Sequence, residues 1–100
     1  TTSVRRPGPQ DEMVSFRLEQ NYPNPFNPLT RIECGITNSE FLILKVFDIV
    51  GREVATLINE RREPGTHVVE FDGSGLGSGM YFFRMQAGDF EQTRRMVMLR

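Results

Sequence analysis

Few residues of this chain have types and spacings suited to chemistry. His67 is the only histidine and Cys34 the only cysteine. One of each cannot close a zinc site, and a lone cysteine leaves no internal disulfide. Cys34 lies in an alternating apolar segment, where it reads as a small buried hydrophobe rather than a reactive thiol. His67 alternates with Val69 and Phe71, so a packed or edge position is expected rather than a general base. A nucleophile–base–orienter set needs a second base, and nothing in the pattern marks one. Asp48 and Asp72 both abut turns. Paired strand-end carboxylates are the equipment of glycoside hydrolysis, but side-chain capping of the turns before Gly51 and Gly73 accounts for both. Gly73, Gly75, Gly77 and Gly79 alternate with Ser74, Leu76 and Ser78. No Lys-Ser/Thr pair follows to make this a phosphate loop, and Asp72 alone is too little for a calcium loop. A structural connection is expected, with Gly77 or Gly79 at positive φ. Tyr22, Phe26, Tyr81 and Phe82 are the rings available for sugar stacking, and there is no tryptophan. No cofactor or metal is expected.

Composition narrows the field further. One hundred residues, 38% hydrophobic and 25% charged, suit one globular domain with a modest core. The net charge of −1 gives no electrostatic case for nucleic acid or an anionic membrane surface. No apolar run approaches the roughly 20 residues of a membrane span. Residues 1–12 are polar and contain prolines, with no apolar signal-peptide core. They read as a linker, and a chain beginning this way reads as a fragment whose export signal lies upstream. The expected organisation is a linker or disordered tail over 1–15 and one domain over 16–100.

The elements that position these residues are strands. A first edge strand is expected within Met13–Glu19. Leu29–Ile36 alternates, with Ile32, Cys34 and Ile36 on one face. Phe41–Ile49 is the most apolar run, with Leu42, Leu44 and Val46 sharing a face. Gly51 suits a left-handed turn position, and Arg52–Ile58 follows as a short strand. Asn59–Pro64 reads as a charged connection ending in the Pro64-Gly65 turn. Thr66–Phe71 alternates, Met80–Ala87 and Phe90–Leu99 complete the set, and Gly88-Asp89 marks a two-residue hairpin. About seven short strands without a helix indicate an all-β fold, an antiparallel immunoglobulin- or fibronectin-like β-sandwich. Ile32, Ile36, Leu44, Val46, Val69 and Phe83 are expected in its core.

The most distinctive stretch is Tyr22-Pro23-Asn24-Pro25-Phe26-Asn27-Pro28-Leu29-Thr30. Each proline fixes its own φ and drives the preceding residue toward extended geometry. The stretch is therefore a stiff, kinked strap leading into a strand. Tyr22 and Phe26 are expected to pin it to a core edge, and Asn24 and Asn27 to close local turns.

These residues carry a resemblance. From about Phe16 to Arg100 the chain resembles the C-terminal sorting domains of the type IX secretion system of Bacteroidetes-like bacteria. It is also similar to the related immunoglobulin-like domain of the flagellar hook-capping protein. The Tyr-Pro-Asn-Pro-Phe-Asn-Pro-x-Thr opening is matched by Tyr22 to Thr30. The aromatic-Asp-x-x-Gly-Arg-x-Val pattern is matched by Phe47, Asp48, Gly51, Arg52 and Val54. Pro64, Gly65 and Thr66 match a Pro-Gly-Thr turn, and Phe71, Asp72 and Gly73 an aromatic-Asp-Gly step. Leu76, Ser78, Gly79 and Tyr81 match Leu-x-Ser-Gly-x-Tyr. Arg95, Met96, Leu99 and Arg100 match a basic-Met-x-x-Leu-basic terminus.

The resemblance implies a non-catalytic module that directs a larger, secreted cargo, often a hydrolase, through periplasm and outer membrane to the cell surface. Its implied partners are the type IX apparatus, a surface peptidase and a catalytic domain upstream. The implied recognition elements are the last strand and its basic end, with Arg94, Arg95, Arg100, Gly79 and Tyr81 as candidate contact residues. A last strand with its outer side partly unpaired suits strand addition to a receptor sheet, and Arg95 and Arg100 are expected to be exposed and dispensable for stability. The competing reading is a carbohydrate-binding or spacer module of an extracellular polysaccharide hydrolase, presenting an exposed row of rings.

Overall fold

The computed structural model describes residues 15–100; the expected 1–15 tail, and Met13 and Val14 of the expected first strand, lie outside the described residues apart from Ser15. Seven strands follow in order: β1 (Phe16–Leu18), β2 (Leu29–Ile36), β3 (Glu40–Phe47), β4 (Glu53–Arg62), β5 (Gly65–Asp72), β6 (Gly79–Ala87) and β7 (Phe90–Met98). They form two antiparallel sheets, a three-stranded one ordered β1-β2-β5 and a four-stranded one ordered β4-β3-β6-β7. This is the expected immunoglobulin-like sandwich, with β4 hydrogen-bonded to β3 rather than joining the first sheet.

Period-two alternation decides which side chains enter the core. Ile32, Cys34 and Ile36 of β2 face Leu42, Leu44 and Val46 of β3, Phe83, Met85 and Ala87 of β6, and Met96 and Met98 of β7. Burial pushes the Cys34 thiol pKa up, which keeps it protonated and inert. Of the expected core residues, Val69 is the exception. It packs against the core but is only half-buried, because β5 is an edge strand with β2 as its one ladder neighbour among the described residues.

Two strand boundaries differ from expectation. The charged stretch beginning at Asn59 is not a connection: β4 continues through Arg62, paired with Glu40 of β3. An edge strand tolerates charge on its outer side, and Arg62 Nε donates to Glu60 Oε2 at 2.8 Å along it. The β3–β4 register also slips between Leu44 and Lys45 and between Val46 and Phe47. These irregularities break the alternation of β4, so that only Ile58 of this strand is fully buried.

The proline strap enters along β2. Tyr22 N donates to Arg31 O at 3.0 Å and Arg31 N to Tyr22 O at 2.9 Å, an antiparallel bridge. The peptide bonds preceding Pro23, Pro25 and Pro28 are cis. Phe26 pins the strap as expected, fully buried and edge-on to Phe71 with ring centroids 6.1 Å apart. Tyr22 does not: its ring is 78% exposed. Asn21 and Tyr22 are consecutive in extended chain, so one turns inward and the other outward, and here Asn21 takes the inner side. Its amide Nδ2 donates to Thr30 Oγ1 at 2.9 Å and to Pro23 O at 3.1 Å, and Thr30 Oγ1 donates to Pro23 O at 2.8 Å. This closed set satisfies Asn21 and Thr30, the buried polar residues among those described.

Replacing Leu44 by Ala is expected to destabilise the domain by about 2–5 kcal/mol in urea unfolding, since the side chain is completely enclosed between the sheets. Thr30→Val keeps the shape but removes the hydroxyl from the Asn21–Pro23 set. It is expected to cost about 1–3 kcal/mol in the same measurement.

Candidate functional site

The last strand was the expected recognition element, and β7 is indeed an edge of the four-stranded sheet. Its outer side, however, is largely closed. Phe26 N donates to Val97 O and Leu99 N to Phe26 O, both at 3.0 Å. Val97 N donates to Asn24 Oδ1 at 2.9 Å, and Gln20 Nε2 to Arg95 O at 2.7 Å. The strap thus acts as a short parallel neighbour, bridging Phe26 to Met98. Asn24 therefore caps a strand 73 positions away rather than closing a local turn. No side-chain hydrogen bond ties Asn27 to another described residue. The outer side of β7 remains open toward its beginning, around Glu91 and Thr93.

The basic residues divide between structural and free roles. Arg94 points between the sheets, where its Nε donates to Leu18 O at 2.6 Å and ties β7 to β1. Arg100 folds back over the glycine loop. Its Nε donates to Leu76 O at 2.9 Å, its Nη2 to Gly73 O at 3.3 Å and also to Ser74 O, while its backbone N donates to Ser78 Oγ at 2.9 Å. Arg100 is exposed, as expected, but it is bonded to the loop as a clamp rather than free. The reason is charge-assisted bonding to several carbonyls of one loop. Arg95 is exposed, and its guanidinium bonds no described residue. It lines a shallow cavity of about 340 Å³ with Gln20, Phe82, Thr93 and Arg94.

Gly79 and Tyr81, the other candidate contacts, are built into the loop. Gly79 has φ +149°, as expected for one of the pair Gly77 and Gly79. Tyr81 is buried, and its hydroxyl donates to Gly77 O at 2.7 Å. A tyrosine at the start of β6 bonding backbone a few residues upstream is the tyrosine corner of immunoglobulin-like sandwiches. Gly73 is needed for close approach: a Cβ there would stand 2.6 Å from Met98 Sδ, and its N donates to Pro28 O at 2.9 Å.

The carboxylates are occupied by their own turns, as expected. Asp48 Oδ1 accepts from Val50 N at 3.0 Å and Arg52 N at 2.9 Å, and Oδ2 accepts from Arg52 Nε at 2.9 Å. The Arg52 backbone bond, reinforced by its guanidinium, holds the Asp48 carboxyl below its ordinary pKa. Asp72 accepts from the hydroxyl and the backbone N of Ser74, with the same direction of shift. His67 clasps the β4–β5 hairpin. Its Nε2 faces Glu63 O at 2.8 Å and its Nδ1 faces an Arg62 guanidinium nitrogen at 3.3 Å. A carbonyl only accepts and a guanidinium only donates, so the ring is the neutral Nε2–H tautomer. Among the described residues no three of His, Cys, Asp and Glu cluster as metal ligands, and no helix is long and apolar enough to cross a membrane. Sequence reasoning missed Asn21, Gln20 and the clamp made by Arg100. The inward-facing Thr30 of β2 was the available signal for a buried polar partner nearby.

Arg100→Gln is expected to lower the thermal midpoint by roughly 4–8 °C, as loss of its carbonyl bonds loosens the loop. Arg95→Gln is expected to leave it within about 1 °C, an exposed unpaired charge contributing little. For Asp48 the folded pKa lies below the unfolded one. The turn's contribution is therefore complete above about pH 4 and is lost as pH falls through the lower, folded value. The Val50 and Arg52 amide resonances should report that transition below the titration range of a free aspartate.

No curated protein sequence matches the chain. The family model described as the secretion system C-terminal sorting domain matches residues 20–99. That span begins at Gln20, which bonds β7, and closes at Leu99, which bonds the strap, so it encloses both sides of the seal. The family is a non-catalytic targeting module, read by the type IX secretion machinery, and carries proteins to the cell surface or the medium. The chain belongs to the C-terminal sorting domains of type IX secretion.

Proposed function

We propose that this domain is the address of a larger exported protein whose upstream part is a hydrolytic enzyme, and that a surface peptidase either removes it after export or leaves it holding the cargo at the surface. The observation that carries the reading is the family match over residues 20–99. The occupancy of the chemical groups supports it: His67, Asp48 and Asp72 are all engaged in hydrogen bonds that hold turns together. Of the candidate receptor contacts, Arg95 and the open beginning of the β7 edge meet the export receptor. Arg94, Arg100, Gly79 and Tyr81 act at one remove, by holding that strand and its neighbouring loop in shape. One observation favours the alternative, a carbohydrate-binding module: the Tyr22 ring stands 78% exposed beside a cavity of about 230 Å³.

Fusing the chain behind a periplasmically targeted reporter in a type IX-competent host is expected to send the reporter to the cell surface, whereas the reporter without the domain stays in the periplasm. Arg95→Gln is expected to reduce surface delivery severalfold without changing the thermal midpoint. Retention of the isolated domain on insoluble glycan, lost in Tyr22→Ala, would instead support the carbohydrate reading.

A further inference from the structure

The turn between β3 and β4 carries two branched apolar side chains where turns ordinarily carry polar ones. Ile49 and Val50 are each 70% exposed, although Gly, Pro, Asn, Asp and Ser dominate such positions. The turn is not loose. Asp48 N donates to Arg52 O at 2.9 Å, Gly51 N donates to Asp48 O at 3.0 Å, and the Asp48 carboxylate accepts from Val50 N, Arg52 N and Arg52 Nε. Gly51, with φ +88°, completes the reversal. Ile49 and Val50 are thus held outward on a rigid support, which reduces the ordering cost of any contact they make.

The charges around the turn cancel. Arg52 pairs with Asp48 at 2.9 Å, and Glu53 pairs with Lys45 at 3.1 Å. An ionic ligand is therefore not selected there, and the turn itself bears no ring on which a sugar could stack. Asp48 and Arg52 also line a cavity of about 370 Å³, whose far wall is Leu76, Tyr81 and the glycines of the β5–β6 loop. A neutral apolar knob beside a recess fits a protein surface of complementary shape. On the other side of the turn the outer face of the four-stranded sheet continues from Phe47 to Phe82 and Arg95, which are successive cross-strand partners. The turn follows Phe47 directly, so the apolar tip is next in the chain to this row, which ends at the free arginine.

We propose that this end of the sandwich is a docking surface, in which Ile49 and Val50 insert into an apolar pocket on a protein component of the export machinery and Arg95 makes the peripheral contact. The proposal rests on the sorting reading, which supplies a protein partner that must hold this domain. Its apolar anchors, Ile49 and Val50, do not depend on the β7 edge, most of which the strap closes. Apolar anchors at the centre and charge at the rim is the usual division of labour in protein recognition.

The test uses the full chain fused to a reporter in a type IX-competent host. Four fusions are compared: the parent, Ile49→Asp with Val50→Asp, the milder Ile49→Ser with Val50→Ser, and Phe41→Asp. Phe41 is an exposed apolar residue toward the opposite end of β3. Both tip variants are expected to keep the parent's thermal midpoint within a few degrees and to lose surface delivery by about tenfold or more, while Phe41→Asp is delivered normally. Periplasmic retention of the parent fusion overturns the sorting reading and, with it, this proposal. Parent-level delivery of a folded tip variant overturns the docking proposal alone, as does equal loss in Phe41→Asp. Sedimentation of the isolated chain covers the remaining occupant: a dimer that the Ser variant abolishes would assign the tip to a second copy of this chain and overturn the proposal.

Discussion

An exposed sheet edge offers unpaired backbone to any other strand, and a sandwich closed by its last strand must deal with that edge. Here the solution is the contact between the proline strap and β7. Phe26 supplies both halves of it. Its ring is fully buried against Phe71, and its backbone bonds Val97 and Leu99. The strap cannot become a regular strand, because Pro23, Pro25 and Pro28 have no N–H to give. It is therefore a cover that satisfies β7 without presenting a full new edge. Asn24 and Gln20 complete the cover with side-chain bonds where the prolines leave gaps. Once β7 is fixed, Arg94 reaches across to Leu18 and Arg100 reaches the glycine loop, so the middle of the strand and the residue just past its end are tied to other parts of the fold.

The fold was legible in the sequence because burial follows a period of two. The β2 set Ile32, Cys34 and Ile36 and the β3 set Leu42, Leu44 and Val46 are all interior. The turn chemistry of Asp48, Gly51 and Asp72 was legible for another reason: each is a local interaction within a few residues. What escaped were contacts between segments far apart in the chain. Asn24 and Asn27 carry the signature of local turns, yet Asn24 bonds Val97. Arg100 reads as an exposed terminal charge, yet it holds carbonyls more than 20 positions upstream. The length of β4 escaped because charge on the outer side of an edge strand looks like loop composition.

Family motifs are often taken for contact surfaces, but several in this domain are engaged internally. Tyr81 completes a tyrosine corner, Gly73 makes room for Met98, and Asp48 with Arg52 freezes a turn. Such residues specify a shape.

The seal between strap and last strand also sets an order of events. Residues 20–26 wait for residues 95–99, so the closing contact spans nearly the whole domain. Contacts of such sequence separation form late and slowly, because the loop entropy is paid before any contact rewards it. During synthesis the strap can bridge β2 at Arg31 early, but the bonds it makes through Asn24 and Phe26 must wait for the last strand. A chain interrupted before that point exposes Phe26, the open edge of β6 and an unclamped glycine loop. The contact that protects the edge is therefore absent from any polypeptide that stops short of β7.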